Sequence, residues 1–179
     1  MSETEKQFSL ACVVTYLGLL SSTALCQSTR TDLEGSYWQG AIKAGDGRFT
    51  FDLAKLQAID AGTGYSTSHG PVVEGERIQV GLMRMPRGTG SRPHSHPNEQ
   101  WIYVMQGTLD TEVAGVKSRA TTGSLVYIPS NAVHSAVATP DEDVLFFTCK
   151  DTSHGIVGKA VDASISAPAY VPGFEPKKK

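Results

Sequence analysis

Two histidines that are separated by a single residue, His94 and His96, constrain this chain more than any other feature of its sequence. Side chains alternate between the two faces of an extended strand, so both imidazoles point to the same side of the backbone. Gln100 follows shortly afterwards, and His134 lies further along the chain. Three imidazoles and one amide oxygen suit a divalent transition metal such as Fe, Mn, Co, Ni or Zn, and they do not form a calcium site.

These residues lie in two stretches, 88–107 and 123–138, that resemble the paired motifs of the cupin superfamily. The motif positions are occupied by Gly88, His94, His96, Gln100 and Gly107 in the first stretch and by Gly123, Pro129, Asn131, His134 and Ala138 in the second. The resemblance implies an all-β fold, the double-stranded β-helix or jelly-roll barrel. Because the sequence has no internal repeat, it resembles the small single-domain cupins. The resemblance also implies the metal ligands, which are His94, His96, Gln100 and His134.

Three motif positions depart from the family pattern. Asn131 replaces a turn glycine, which is a mild change because Asn also tolerates the left-handed backbone conformation, and Ala138 replaces a terminal Asn. Gln100 stands where the family usually has Glu; the adjacent Glu99 fits the motif spacing less well, so we predict Gln100 as the fourth ligand. Two alternatives stay open. In the first, Gln100 does not bind the metal but forms hydrogen bonds to residues that do. In the second, the barrel has kept the motif and lost the metal.

The predicted donors bear on the reaction because all four are neutral. A divalent ion would keep its full charge, which favours Lewis-acid chemistry on a carbonyl or anionic substrate over oxygen chemistry through higher iron oxidation states. Gln at this position is similar to cupins that perform non-oxidative isomerisation or tautomerisation, such as the bacilysin-pathway isomerase and the uronate-ketonising cupins. We therefore expect a metal-dependent isomerase, tautomerase or lyase that acts on a small polar carbonyl or carboxylate. The alternatives are a mononuclear Fe(II) dioxygenase and a non-catalytic cupin that binds a small ligand or a metal.

Several further side chains are candidates for contact with the substrate. Arg84 would anchor a carboxylate, Tyr127 or Tyr103 would transfer a proton, and His154 would take part if the C-terminal tail folds over the barrel. Each has an ordinary alternative. Arg84 is equally consistent with an exposed or salt-bridged strand residue, the tyrosines with packing, and His154 with a solvated loop.

The N-terminal region contains an apolar run at residues 8–20. The run is shorter than the roughly 20 residues that a transmembrane helix needs, and small residues follow it at Ala24 and Cys26, as at a signal-peptide cleavage site. Residues 1–26 are therefore interpreted as a signal peptide, with a retained N-terminal helix as the alternative. The first interpretation predicts an exported or periplasmic protein, and the second a cytoplasmic one. Residues 27–179 are predicted to form a single barrel domain.

The charge balance restricts the partners of the chain. Its formal net charge is −2, and no cluster of Lys and Arg is interleaved with aromatic residues, which argues against a nucleic-acid-binding protein. A small-molecule substrate is expected instead. The resemblance to the cupins, together with the exposed barrel faces expected here, predicts a homodimer. The three cysteines do not form a disulfide framework, and Cys149 is predicted to be a buried, inert thiol in a strand.

Short alternating or apolar runs, separated by Gly, Pro and Asp, predict strands that form a sandwich or barrel. The tail from residue 150 onward has no periodicity and is predicted to wrap around the outside of the barrel or a partner. The predicted strands cover residues 48–53, 77–85, 100–105, 108–113, 124–128, 133–138 and 144–149.

Overall fold

The computed structural model describes residues 40–177, which form an almost entirely β structure. Their strands make two sheets, and the part of the chain that the structure describes contains no α-helix, only a 3-10 turn at Leu53–Lys55. None of it is a helix with the length and hydropathy needed to cross a membrane. The predicted signal peptide, residues 1–26, lies outside the described residues together with Cys12 and Cys26.

The first sheet contains the long strands of the molecule. Its main path, in spatial order, is β1 (Ile42–Lys43), β4 (Val72–Glu74), β5 (Ile78–Met85), β13 (Val144–Asp151), β8 (Gln100–Gln106) and β11 (Leu125–Ile128). All neighbours on this path are antiparallel except β1 and β4. Two short strands extend the sheet beside β5, namely β3 (His69–Gly70) and then β2 (Ile59–Asp60).

The second sheet faces the first and carries the second motif. Its main path is β10 (Val116–Thr121), β9 (Thr108–Val113), β12 (His134–Ala138), β6 (Thr89–Gly90) and β15 (Ala169–Tyr170). The short strand β7 (His94–Ser95) pairs with β12 on one side and with β14 (Lys159–Ala160) on the other. Hydrogen bonds do not join the two sheets into one closed cylinder over residues 40–177.

Alternation along the strands of the first sheet builds the core. In β13 every second residue, starting at Val144, is buried, and in β5 the buried positions include Met83 and Met85. These side chains meet Leu109 and Ala138 from the second sheet in one apolar cluster. Burying a side chain of this size stabilises the fold by roughly 1.5–3 kcal/mol. This strongly determines which residues of each strand face the core and which face outward.

The all-β jelly-roll prediction is confirmed, and most of the predicted strands coincide with β5, β8, β9, β11, β12 and β13. The strand predicted at residues 48–53 is wrong, because this stretch makes one isolated bridge from Arg48 to Gly45 and then the 3-10 turn. The short strand β10 was not predicted; its side chains are mostly exposed, so it lacks the apolar alternation that identifies a strand. The tail does wrap around the body, since β14 and β15 extend the second sheet and Ile156 enters the core.

Candidate metal centre

The structure brings together the four residues that the two motifs predict as ligands. His94 in β7 pairs directly with His134 in β12, His96 follows β7, and Gln100 begins β8. The ring centroids of His94 and His134 lie 4.1 Å apart, and those of His96 and His134 lie 4.8 Å apart. The backbone N–H of Asn131 also donates to the carbonyl of His96 at 2.8 Å, and Asn131 adopts the left-handed conformation with φ 61°. The strand pairing of His94 with His134 and this hydrogen bond thus join the second motif to the first.

The three imidazoles share one hydrogen-bonding pattern, which defines their tautomer. The Nδ1 atoms of His94, His96 and His134 lie 2.9, 2.7 and 2.9 Å from the carbonyl oxygens of Arg92, Asn98 and Ala132, respectively. A carbonyl oxygen can only accept, so each Nδ1 carries the proton. Each Nε2 therefore presents a lone pair, and histidines that bind metals are oriented by such a bond from their other ring nitrogen.

Gln100 lies where its amide oxygen meets one of these lone pairs. Its Oε1 is 2.9 Å from Nε2 of His96, while its Nε2 donates to the hydroxyl oxygen of Thr148 at 2.8 Å. With the His96 proton on Nδ1, the Nε2 lone pair of His96 faces the Gln100 amide, which can turn either its oxygen or its NH2 group towards the ring. With the oxygen towards the ring, the two atoms are spaced like two ligands of one ion, since ligand atoms about 2.1 Å from an ion and at a right angle lie about 3 Å apart.

The donor chemistry fits a divalent ion, although the side chains do not yet form a closed coordination shell. The rings of His94 and His96 are 6.3 Å apart at their centroids. Among residues 40–177, no three side chains of the His, Cys, Asp or Glu type are close enough to hold an ion as they stand. The side chains would have to move closer to a common point to hold an ion.

The imidazoles are in the neutral form that metal binding requires. Burial lowers the pKa of His94 and of His96 to about 3 and that of His134 to about 4. The positive charge of Lys150 acts in the same direction on all three rings. At neutral pH no proton competes with a metal for the Nε2 atoms.

Tyr65 contacts the centre, although no pattern in the sequence identifies it. Its ring lies 4.6 Å from that of His94, at an angle of 38°. Its hydroxyl oxygen accepts a hydrogen bond from the backbone N–H of Gly158 at 2.8 Å, and burial raises its pKa to about 12. Tyr65 thereby holds one face of His94 and joins the centre to the C-terminal segment.

The cavity between the sheets, which we call the barrel cavity, contains the centre and one further charged group. Its lining includes His94, Gln100 and His134, and also Lys150. Lys150 is only 4% exposed, and it occupies the last buried position of β13. The strand prediction ended at Cys149, so this residue was assigned to the tail, but the alternation of Phe146 and Thr148 extends to it.

The other predicted site residues do not lie in the barrel cavity. Arg84 alternates with the buried Met83 and Met85, so its side chain is on the outer face, where it forms an ion pair with Asp143. His154 is half-buried beyond β13, and its carbonyl accepts hydrogen bonds from the side-chain amides of Gln79 and Asn98.

The predicted tyrosines are also on the outer face of the first sheet. Tyr127 is 44% exposed, its ring lies 4.5 Å from that of Trp101, and its hydroxyl donates to Glu99 at 3.3 Å. Glu99, the rejected alternative to Gln100, therefore faces away from the centre. Tyr103 is similarly exposed. Cys149 is half-buried on this outer face rather than buried, and burial raises the pKa of its thiol.

Comparison with known proteins gives a consistent result. Residues 81–149 match the family model described as "Cupin domain". The chain is similar to the polyketide cyclase RemF from Streptomyces resistomycificus, with a TM-score of 0.57 and 17% identity, covering 66% of this chain and 88% of that protein. It is also similar to KdgF from Halomonas sp., with a TM-score of 0.50 and 25% identity, covering 57% and 94% of the two chains.

A further solved structure, the plu4264 protein from Photorhabdus luminescens, is 25% identical with a TM-score of 0.39 over 41% of this chain. The chain spans 61% of the length of that protein. No curated protein matches the chain in sequence. The matched family region includes both motifs and the strands that carry them, and the likeness to RemF shows the same fold. The chain therefore contains a cupin domain, which includes residues 81–149.

Proposed function

We propose that this protein is a metal-dependent cupin that isomerises, tautomerises or cleaves a small carbonyl or carboxylate substrate without oxygen. The observation that carries the proposal is the grouping of three neutral imidazoles of one tautomer beside the Gln100 amide. Imidazole nitrogens and an amide oxygen suit a divalent transition metal. His94, Gln100 and His134 also line one cavity together with Lys150.

The residues of the chain supply the binding and the orientation. His94, His96, Gln100 and His134 would hold the ion, and their Nδ1 and amide hydrogen bonds determine how they face it. A divalent ion bound by neutral donors would act as a Lewis acid on a carbonyl oxygen. The apolar walls of the barrel cavity exclude water from a bound substrate, which strengthens the electrostatic interactions within it.

The presence of the metal centre is tested by metal content. The full-length chain is expressed in a medium that contains several transition metals, and the bound metals are measured by elemental analysis. His134→Ala should lose the metal, whereas His69→Ala, outside the barrel cavity, should retain it. A His134→Ala protein that is folded and carries as much metal as the wild type would remove the site assignment.

The reaction class is tested by turnover on a panel of small keto acids, uronates and diketones, with and without oxygen. Turnover that persists anaerobically supports the proposed reaction. Oxygen consumption that depends on Fe(II) would instead show a dioxygenase. Stoichiometric metal without turnover on any member would favour the non-catalytic cupin, which binds a small ligand or stores the ion.

We also propose that the protein forms a homodimer through the outer face of the first sheet. The exposed side chains of Trp101, Tyr103 and Met105 on β8 lie beside Leu125 and Tyr127 on β11, and the register places the last two opposite Tyr103 and Trp101. A continuous apolar patch of this kind is typical of a surface that another subunit covers.

The mass in solution, measured by light scattering, should be that of a dimer. Leu125→Glu should give a monomer, because the side chain is 60% exposed and the charge lies within the patch. Val116→Glu places the same charge at a 68% exposed position on the second sheet and should remain dimeric. A monomeric wild type would contradict the proposal.

A further inference from the structure

A buried lysine shares the barrel cavity with the predicted metal ligands. Lys150 lies directly opposite Gln100 in the pairing of β13 with β8, and its Nζ donates to the carbonyl of Ile156 at 2.8 Å. An ammonium group has three N–H donors. Within the described residues this carbonyl is the partner found for the group, so donors remain for a molecule that enters the cavity.

The charge of Lys150 has no counter-ion in the cavity. No Asp or Glu lines it within residues 40–177. The adjacent Asp151 directs its carboxylate to the backbone N–H groups of Glu99 and Ser153. Burial lowers the pKa of Lys150 to about 7, and the negative charge of Asp151 offsets this effect only in part. An anion that binds in the cavity would supply the missing charge.

The remaining walls restrict the body of such an anion. Much of the lining is apolar and includes Met83, Met85, Ile102, Leu109 and Phe146. Among the lining hydroxyls, Thr111 bonds with Ser118, whereas Ser68 Oγ has no partner within the described residues. The internal space is about 60 Å³, which favours a small molecule.

We propose that Lys150 binds the carboxylate of the substrate and that the substrate is a short-chain oxo acid with an apolar chain, not a sugar acid. The inference rests on the proposed function, in which the substrate carbonyl would face the metal ligands, and one of these, Gln100, is paired with Lys150. It adds the group that recognises the acid and the size class of the molecule. The small volume and the apolar part of the lining favour a short apolar chain over the longer, hydroxyl-bearing chain of a sugar acid.

Butyrate and butyramide form a matched pair of probes, because they have the same shape and differ in charge. Each is titrated by NMR into the full-length wild type, into Lys150→Met and into Lys117→Met, whose lysine is exposed on β10. All three proteins are measured after removal of metal and again after loading with zinc. In the metal-free wild type and in Lys117→Met, butyrate should bind about tenfold more tightly than butyramide. Lys150→Met should lose this preference.

The two proposals fail in different ways. A butyrate preference that appears only with zinc and survives in Lys150→Met would assign the carboxylate to the metal and overturn the role of Lys150. Equal binding of butyrate and butyramide to the metal-free wild type would overturn it as well. A protein that never binds metal but keeps the Lys150-dependent preference would refute the proposed function alone. Glucuronate that binds as tightly as butyrate would contradict the size class.

Discussion

Replacement of Lys150 by Met should stabilise the metal-free protein, because it removes a buried charge and keeps a side chain of similar length. Burial lowers the pKa of Lys150 from 10.5 to about 7. Between these values the unfolded chain binds a proton that the folded chain releases, so the free energy of unfolding rises with pH. At pH 7 and below, the shift corresponds to a penalty of roughly 4–5 kcal/mol on the folded state.

The substitution also leaves the carbonyl of Ile156 without its hydrogen bond, which costs roughly 1 kcal/mol. We therefore expect Lys150→Met to be more stable than the wild type by about 3 kcal/mol near pH 7. The wild type should gain about 1.5 kcal/mol between about pH 7 and pH 8.5, while the variant should not, because it lacks the titrating group.

Urea unfolding of the metal-free proteins, followed by circular dichroism at several pH values, measures both effects. Lys117→Met is the matched control and should differ from the wild type by less than about 0.5 kcal/mol at every pH, since that lysine is exposed. If Lys150→Met is less stable than the wild type and shows the same dependence on pH, the buried ammonium is not a liability and our account of the cavity is incorrect.

Three further predictions concern the metal centre. Gln100→Glu should retain the metal, as measured by competition with a coloured chelator. Its turnover should be about tenfold slower, because an anionic ligand weakens the Lewis acidity of the metal. An unchanged rate would argue against direct coordination by residue 100. Gly158→Ala should weaken metal binding about tenfold, because the new Cβ would displace the His94 ring. That Cβ would lie 2.9 Å from Cδ2 of His94 and 2.8 Å from the carbonyl oxygen of Ser95. A variant with wild-type metal affinity would show that the displaced ring still binds the metal. The metal-free protein should lose stability as the pH falls from 6.5 towards about 4, because His94, His96 and His134 titrate there only when unfolded; a constant urea midpoint over this range would contradict it.

The grouping of the candidate metal ligands was predictable from the sequence because their relation is local. His94 and His96 are close in the chain, and the second motif supplies His134 with a fixed spacing to its own turn. The candidates Arg84 and Tyr127 could not be placed in this way, because a shift of one residue in strand register moves a side chain to the opposite face. In the structure the neighbours of Arg84, Met83 and Met85, take the core positions.

Lys150 illustrates a different limit. A lysine after an apolar strand is ordinarily the start of a solvated loop, so the strand prediction stopped at Cys149. The alternation through Phe146 and Thr148 was present in the sequence, but it could not show that the segment up to Ile156 folds back and provides a carbonyl for the ammonium. That contact depends on the tail, whose path has no periodic signal.

Each imidazole of the centre is oriented by a carbonyl only two positions away along its own chain, at Arg92, Asn98 or Ala132. The hydrogen bonds that orient the rings thus lie within the two motifs and do not involve side chains from the apolar wall of the barrel cavity. Met83, Met85 and Phe146, which form part of that wall, take no part in these three hydrogen bonds, so a substitution there would reshape the cavity without removing them. New substrate preferences can arise by exchanging such wall residues while the inherited donors stay in place.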